Sequence, residues 1–341
     1  MKNWPTNSSR TEGCTLTGAL SVSTSIADGL TIIHGPDGCV HHNASLLHAL
    51  WHENEEGLFP RIYSTSMTEA DVVFGGEERL VETLHAANRL HPGVICVLSS
   101  CVAAVIGDDV STVCDTAGVQ AVVITTGGFL GGGFSRGVSE ALLALSSLGR
   151  KGEGNGTVNL IGEKNLEYEA EANYEEVNRL LALLGAKVQL RFVRKIPAHA
   201  ISSLGSASLN ILRDPSLTDV GRALEARFKT PYLSAFPVGL GGTLAFLQDV
   251  GEILGIESTD AINCEERYQK NLAVSFSDLD GSAITLDRGP VTSHVLIDEL
   301  QESFGLVFTD QGIPVRLPDP LPVGTAGLSR LLHRWRRACR A

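Results

Sequence analysis

Short, continuous apolar runs alternate along this chain with stretches whose apolar residues recur every three or four positions. The clearest run is Val94–Leu98 (VICVL), bounded by Gly93 and by Ser99-Ser100. Leu30–Ile33, Arg61–Ser66, Val119–Thr125, Val158–Gly162, Lys187–Phe192, Ala207–Leu212 and Tyr232–Ala235 also read as strands. Between them, Glu77–Leu90 places Leu80, Leu84 and Ala87 on one helical face. Cys14–Ala27, Val40–His52, Ala103–Ala117, Ser135–Leu148, Tyr174–Leu184, Thr218–Phe228 and Thr243–Leu254 are further helices. Continuous apolar strands such as Val94–Leu98, alternating with helices, predict an α/β fold whose parallel sheets are covered on both faces.

The polar stretch Arg150–Gly156 (RKGEGNG) separates two such alternations, over residues 1–150 and 157–256. Residues 257–341 carry a sparser pattern: helix Thr259–Leu272, strand Ala283–Asp287, helix Thr292–Phe304, strand Leu306–Thr309 and helix Ala326–Ala338. That tail is short for a third sheet of its own, so a reduced third domain or a C-terminal extension is expected.

Composition narrows the class. The chain has 341 residues, 43% of them hydrophobic, and 36 glycines, enough for sizeable cores joined by many tight turns. No apolar run approaches the roughly 18 residues of a membrane span, and the start MKNWPTNSSRTEG lacks the apolar core of a secretory leader. Seven cysteines, an odd number in a large α/β chain, fit thiols kept free in a reducing cytoplasm better than a disulfide framework. A net charge of −12 argues against nucleic acid as a partner. The basic cluster Arg330, Arg334, Arg336, Arg337 and Arg340 reads as the solvated end of a last helix.

Three cysteines stand at junctions that precede or open helices. Cys14 follows Gly13; Cys39 ends the loop His34-Gly35-Pro36-Asp37-Gly38; Cys101 follows the Val94–Leu98 run. Their separations, 25 and 62 residues, match no local metal motif. Position matters more, because residues just past the carboxyl ends of parallel strands meet in one crevice. Thiolates converging there suit an iron–sulfur cluster; buried structural thiols are the alternative. Cys96, Cys114, Cys264 and Cys339 read as core residues.

The surrounding blocks are HGPDGC (34–39), STSMTEADVVFGGEERL (64–80), SSC followed by IGDD (99–109), and TTGGF with Gly137. Their order and spacing across residues 14–150 resemble the catalytic component of the nitrogenase superfamily. VNLIGE, ASLNIL and the ending PVGTAGLSRLLHRW extend the likeness more loosely. The resemblance implies two Rossmann-like, doubly wound domains and a much reduced third. It also implies that Cys14, Cys39 and Cys101 hold an iron–sulfur cluster, of the 4Fe-4S type, near a subunit interface. Three thiolates leave one iron open, and its ligand is left among the other protomer, Asp37 and a non-protein group.

Departures from the family pattern point to a branch. Where the nitrogenase catalytic subunit places a cofactor-binding cysteine, this chain has Arg213-Asp214-Pro215. Dinitrogen reduction on an anchored iron–molybdenum cofactor is therefore not expected. Among tetrapyrrole-reducing members, the compact Ni-sirohydrochlorin a,c-diamide reductive cyclases of nickel-coenzyme biosynthesis are most similar. That likeness implies a cytoplasmic homodimer, a nickel tetrapyrrole substrate and a separate ATP-dependent iron–sulfur reductase of the iron-protein type. No Walker A motif occurs in the chain itself. The alternative is a non-catalytic scaffold for cluster or cofactor assembly.

Candidate proton donors are His41 and His42. His41, His48 and His52 fall within about 20° of one helical face at 100° per residue. A substrate rich in carboxylates calls for arginine forks. Arg213, at a strand end, is the candidate, with Arg191 and Arg194 less clear. The glycine turn Gly127–Gly133 is expected close to the cluster, and the acidic run Glu163–Glu176 on a solvated face.

Overall fold

A computed structural model of the chain describes residues 13–53, 60–167, 169–286, 294–318 and 320–340. It forms two compact units, Ser9–Glu167 with Gln189–Ser234, and Tyr168–Val188 with Ala235–Ala341. Their strands make three parallel sheets, so the architecture is α/β as the alternation predicts.

The first sheet contains β1 (Gly29–His34), β2 (Arg61–Ser64), β3 (Val94–Ser99) and β4 (Ala121–Ile124) in the order β2-β1-β3-β4. Side chains alternate across a strand, and the two faces of β3 divide accordingly. Val94, Cys96 and Leu98 enter a core shared with the Thr15–Ser23 and Phe134–Ser146 helices. Ile95 and Val97 enter a second core with Leu80, Leu84, Ala87, Val110 and Val113. Both faces being covered, the strand carries no polar alternation. Chain order reverses between β1 and β3, and the carboxyl ends of those strands flank the crevice where α/β sheets bind ligands.

The second sheet orders β5 (Thr157–Ile161), β6 (Lys187–Phe192), β7 (Leu209–Leu212) and β8 (Tyr232–Leu233) as β6-β5-β7-β8, with its own reversal between β5 and β7. The tail does build a sheet. β9 (Ala283–Leu286) lies between β10 (Val307–Phe308) and β11 (Ile313–Val315), a strand absent from the expected pattern. The proline inside β11 masks it in sequence. The strongly amphipathic Gly324–Arg340 helix buries Leu328, Leu331, Leu332 and Trp335 in the core of that unit.

Several helix boundaries differ from expectation for local reasons. The helix after β1 begins at Asp37 rather than Val40, placing Cys39 in its first turn. Pro36 and an acidic first residue are natural initiators there. The helix after β3 begins at Cys101, because Ser100 caps it by accepting from the Ala103 N–H at 3.3 Å. It stops at Gly107, in the left-handed region with φ +83, and a separate helix, Val110–Thr116, follows. Between β2 and the Glu77–Asn88 helix lies a further short helix, Glu69–Phe74, where Asp71 accepts from both the N–H and the hydroxyl of Thr68.

Two further expectations are corrected. Cys264 is exposed rather than core, and Cys339 is half-buried, whereas Cys96 and Cys114 are buried. Burial pushes the Cys96 thiol up to about 12. The acidic run is not a solvated face, because Glu163, Glu167 and Glu176 are all buried. Glu163 grips Arg191 through two bonds of 2.8 and 2.9 Å, and Glu176 grips Arg179 through 2.7 and 2.9 Å. Carboxylates that deep require paired cations, and each partner lies in a segment that the sequence does not link to the run or three residues along the same helix.

Candidate functional site

The three cysteine-bearing segments meet at the carboxyl end of the first sheet. Cys14 immediately precedes the Thr15–Ser23 helix in extended conformation, and its backbone bridges Gly133 in antiparallel fashion. Its thiol lies 3.8 Å from the Thr17 hydroxyl. The helix it opens meets Phe134–Ser146 backbone to backbone at two glycines. A Cβ at Gly18 would fall 2.0 Å from the Phe134 carbonyl oxygen, and one at Gly137 2.0 Å from that of Thr15.

Cys39 and Cys101 are both half-buried, each within the first turn of its helix. Gly35 lies against Ser100, the residue before Cys101, so closely that a Cβ at Gly35 would stand 2.3 Å from the Ser100 hydroxyl oxygen. The glycine turn closes the remaining side. Gly128 packs on the Cys101 backbone and Cβ, and Gly133 is the bridge partner of Cys14. Thr15 fixes the turn by sharing its hydroxyl proton between the carbonyls of Thr126 (2.5 Å) and Gly128 (2.6 Å). A cleft of about 270 Å³ opens beside it, lined by Thr15, Thr126, Leu130 and Arg136 among others.

The Cys39 thiol lies within electrostatic reach of the other two. Burial first, and then the charges of Cys101 and Cys14, push the Cys39 thiol above its ordinary value. A thiol whose ionisation is opposed by neighbouring thiolates suits a cationic group bound beside it. Among the described residues, no three His, Cys, Asp or Glu side chains are close enough to share one metal ion. A polynuclear iron–sulfur cluster makes no such demand, since each thiolate binds a separate iron. A donor set of three thiols, at the starts of three helices, is chemically suited to a cluster.

The other candidates are placed as follows. Asp37 is exposed and accepts from the Ser66 hydroxyl at 2.8 Å; hydrogen bonds from Ser64 and Ser66 hold its carboxyl below the usual range. His41, His42 and His48 are exposed, and the side chain of His52 lies outside the described residues. Asn43 is buried and donates to the Cys39 carbonyl at 2.8 Å.

Arg213 directly follows β7 at the reversal point of the second sheet, but its side chain is only 6% exposed and pairs with Glu167 at 3.4 Å. Glu167 also receives Lys164 at 3.2 Å. Arg194, 1% exposed, donates to Asn165 Oδ1 at 2.9 Å and to the Lys164 carbonyl at 3.3 Å. Arg191, Arg194 and Arg213 are thus each buried or nearly so and engaged by partners within the fold.

Sequence reading passes over a second set of residues. His34, fully buried at the end of β1, places Nε2 2.8 Å from Asp108 Oδ2 and Nδ1 3.1 Å from the Thr65 hydroxyl. All three lie inside blocks that carry the family likeness. Nothing local connects residues 34 and 108, so only the fold reveals them as a pair.

Comparison with known proteins places the chain. The family model for nitrogenase component 1 type oxidoreductases matches residues 14–309. The nitrogenase iron-molybdenum cofactor biosynthesis protein NifE of Clostridium pasteurianum is 29% identical over 252 residues, covering 72% of this chain and 54% of that protein. NifE of Methanococcus maripaludis is 27% identical over 308 residues, covering 85% of this chain and 62% of that protein. The nitrogenase molybdenum-iron protein alpha chain of the same organism is 29% identical, covering 86% and 66% respectively. This chain thus spans only 54% and 62% of the length of the two NifE proteins. A solved structure, nitrogenase Cp1 at pH 5, superposes with a TM-score of 0.69 at 24% identity, over 90% of this chain and 64% of that one, and speaks for the fold alone. No helix among the described residues is long and apolar enough to cross a membrane. With the matched region covering most of its length, the chain belongs to the nitrogenase component 1 type oxidoreductase family.

Proposed function

We propose that Cys14, Cys39 and Cys101 hold one iron–sulfur cluster, of the 4Fe-4S type, and that the chain serves as a scaffold on which a metal cluster or cofactor is assembled or carried. The packing of the three cysteine-bearing segments at the carboxyl end of one sheet, through the Cys14–Gly133 bridge and the Gly128–Cys101 and Gly35–Ser100 contacts, carries the cluster assignment. Two observations support the scaffold role. Several of the similar proteins are named for cofactor biosynthesis. Arg213, where the resemblance puts a cofactor cysteine in the nitrogenase catalytic subunit, is buried against Glu167 rather than open to a polycarboxylate substrate.

When bound, the cluster supplies an electron relay at low potential. The protein's part is to hold it. Cys14 is fixed by its bridge to Gly133, Cys39 by the first helical turn and Cys101 by the Ser100 cap and the Gly128 contact. Asp37, a residue of a second copy or a non-protein group completes the ligand set. A homodimer and an ATP-hydrolysing iron-protein-type reductase are the partners of this reading.

A second reading rests on the two exposed histidines beside Cys39. In a tetrapyrrole reductase acting on Ni-sirohydrochlorin a,c-diamide, His41 and His42 are the proton donors of this reading. Anaerobically purified protein distinguishes the two. A scaffold passes its cargo to an apo-acceptor without consuming electrons. The reductase couples its partner's ATP hydrolysis to an absorbance change in a nickel tetrapyrrole. Protein that binds neither iron nor sulfide after reconstitution overturns both.

A further inference from the structure

The geometry points to His34 and Asp108 as positioning residues that lock the Cys39 and Cys101 segments together at the carboxyl end of the first sheet. This deepens the cluster reading and rests on it only for the metal arm of the test.

His34 is the last residue of β1, five positions before Cys39; Asp108 follows the helix that Cys101 opens. Gly107, in a left-handed conformation that other residues adopt with strain, reverses the chain after that helix and returns Asp108 toward the sheet. There the carboxylate meets His34 Nε2 at 2.8 Å and accepts from the Gly76 N–H at 3.1 and 3.2 Å. Gly76 seals the pair, because a Cβ there would lie 2.9 Å from Asp108 Oδ2 and 3.1 Å from His34 Cε1. On the other side of the ring, the Gly35 N–H donates to the Thr65 hydroxyl oxygen at 3.0 Å, leaving the Thr65 proton for His34 Nδ1 at 3.1 Å. The Ser100 N–H donates to the His34 carbonyl at 2.9 Å. The imidazole therefore sits in a closed ring of bonds joining the loops after β1, β2 and β3.

Stability alone does not explain this arrangement. The His34 and Asp108 side chains are 0% and 5% exposed. Burying an imidazole with a carboxylate carries a desolvation penalty that a well-packed apolar pair avoids. What the polar pair adds is direction. Each bond fixes an angle as well as a distance, so the segments that carry Cys39 and Cys101 are held in one orientation.

The test uses the full chain without metal and a rigid bismaleimide that bridges neighbouring thiols, with linked peptides identified by mass spectrometry. Wild-type protein is expected to yield the Cys39–Cys101 link. Asp108→Ala is expected to lose most of it while keeping the wild-type far-UV spectrum. Asp108→Asn, whose amide oxygen still accepts from His34, is expected to restore it, and carries the comparison should the alanine variant not fold. Equal yields in wild type and Asp108→Ala, or no link in wild type, overturn the proposal. In the metal arm, Asp108→Ala weakens iron retention on reconstitution by roughly tenfold and alters the electron paramagnetic resonance line shape. Wild-type protein that takes up no iron yet shows the cross-linking pattern sinks the cluster and leaves the lock standing.

Discussion

Gly128 lies directly against Cys101: a Cβ on this glycine would stand 2.8 Å from the Cys101 Cβ and 2.9 Å from its backbone nitrogen. Its φ of +55 adds conformational strain to any substitution. Gly128→Ala is expected to destabilise the protein by roughly 1–3 kcal/mol and to lower the iron bound on reconstitution. Gly118, with φ +66 and open space around it, is the control. Gly118→Ala should show the strain in its melting curve and keep full iron content. Equal iron in both variants would remove the glycine turn from the site.

Replacing Cys39 or Cys101 with alanine should leave folded protein without brown iron–sulfur absorption. Cys96→Ala should keep the colour and lose only about 1 kcal/mol from the core. Iron and sulfide analysis beside circular dichroism checks all three, and full cluster content in either of the first two defeats the ligand assignment.

The Glu167–Arg213 pair should set part of the acid sensitivity. Burial raises the Glu167 carboxyl, but the charges of Arg213, Lys164 and Arg194 and a hydrogen bond from Lys164 outweigh it. The carboxyl lies below its ordinary 4.5. A carboxyl lower in the folded state than in the unfolded one adds stability at neutral pH, lost as pH falls through the folded value. Glu167→Gln should therefore cost about 3 kcal/mol at pH 7, by leaving Arg213 buried beside a neutral group. The deficit should narrow below about pH 4.5. Parallel stability profiles for the two proteins would contradict this account.

His41→Ala separates the two functional readings. The exposed imidazole makes no contribution to the core, so folding and the cluster spectrum should be unchanged. Loss of turnover with a nickel tetrapyrrole supports the reductase reading. An unaltered rate of cargo transfer is what the scaffold reading expects.

The legible part of the fold was what periodicity controls. VICVL is apolar at every position because β3 feeds a different core from each face, and that pattern announced a doubly covered sheet. Cys39 and Cys101 stood out because the ends of β1 and β3 meet at the reversal of strand order. The pairings were not legible. Glu167 and Arg213 are 46 positions apart, His34 and Asp108 are 74 apart, and neither spacing leaves a local trace. The acidic run looked solvated because its counter-charges include Arg191 and Arg213, on strands and turns folded later in the chain.

The dispersal of the three thiols sets an order of events during synthesis. Cys14 reaches its bridge only when Gly133 exists, and Cys101 only when β3 has docked beside β1. A nascent chain shorter than about 130 residues carries the sulfur atoms but no pocket to gather them. On the proposed ligand set, cluster loading follows the closing of this unit, once the glycine turn has left the ribosome.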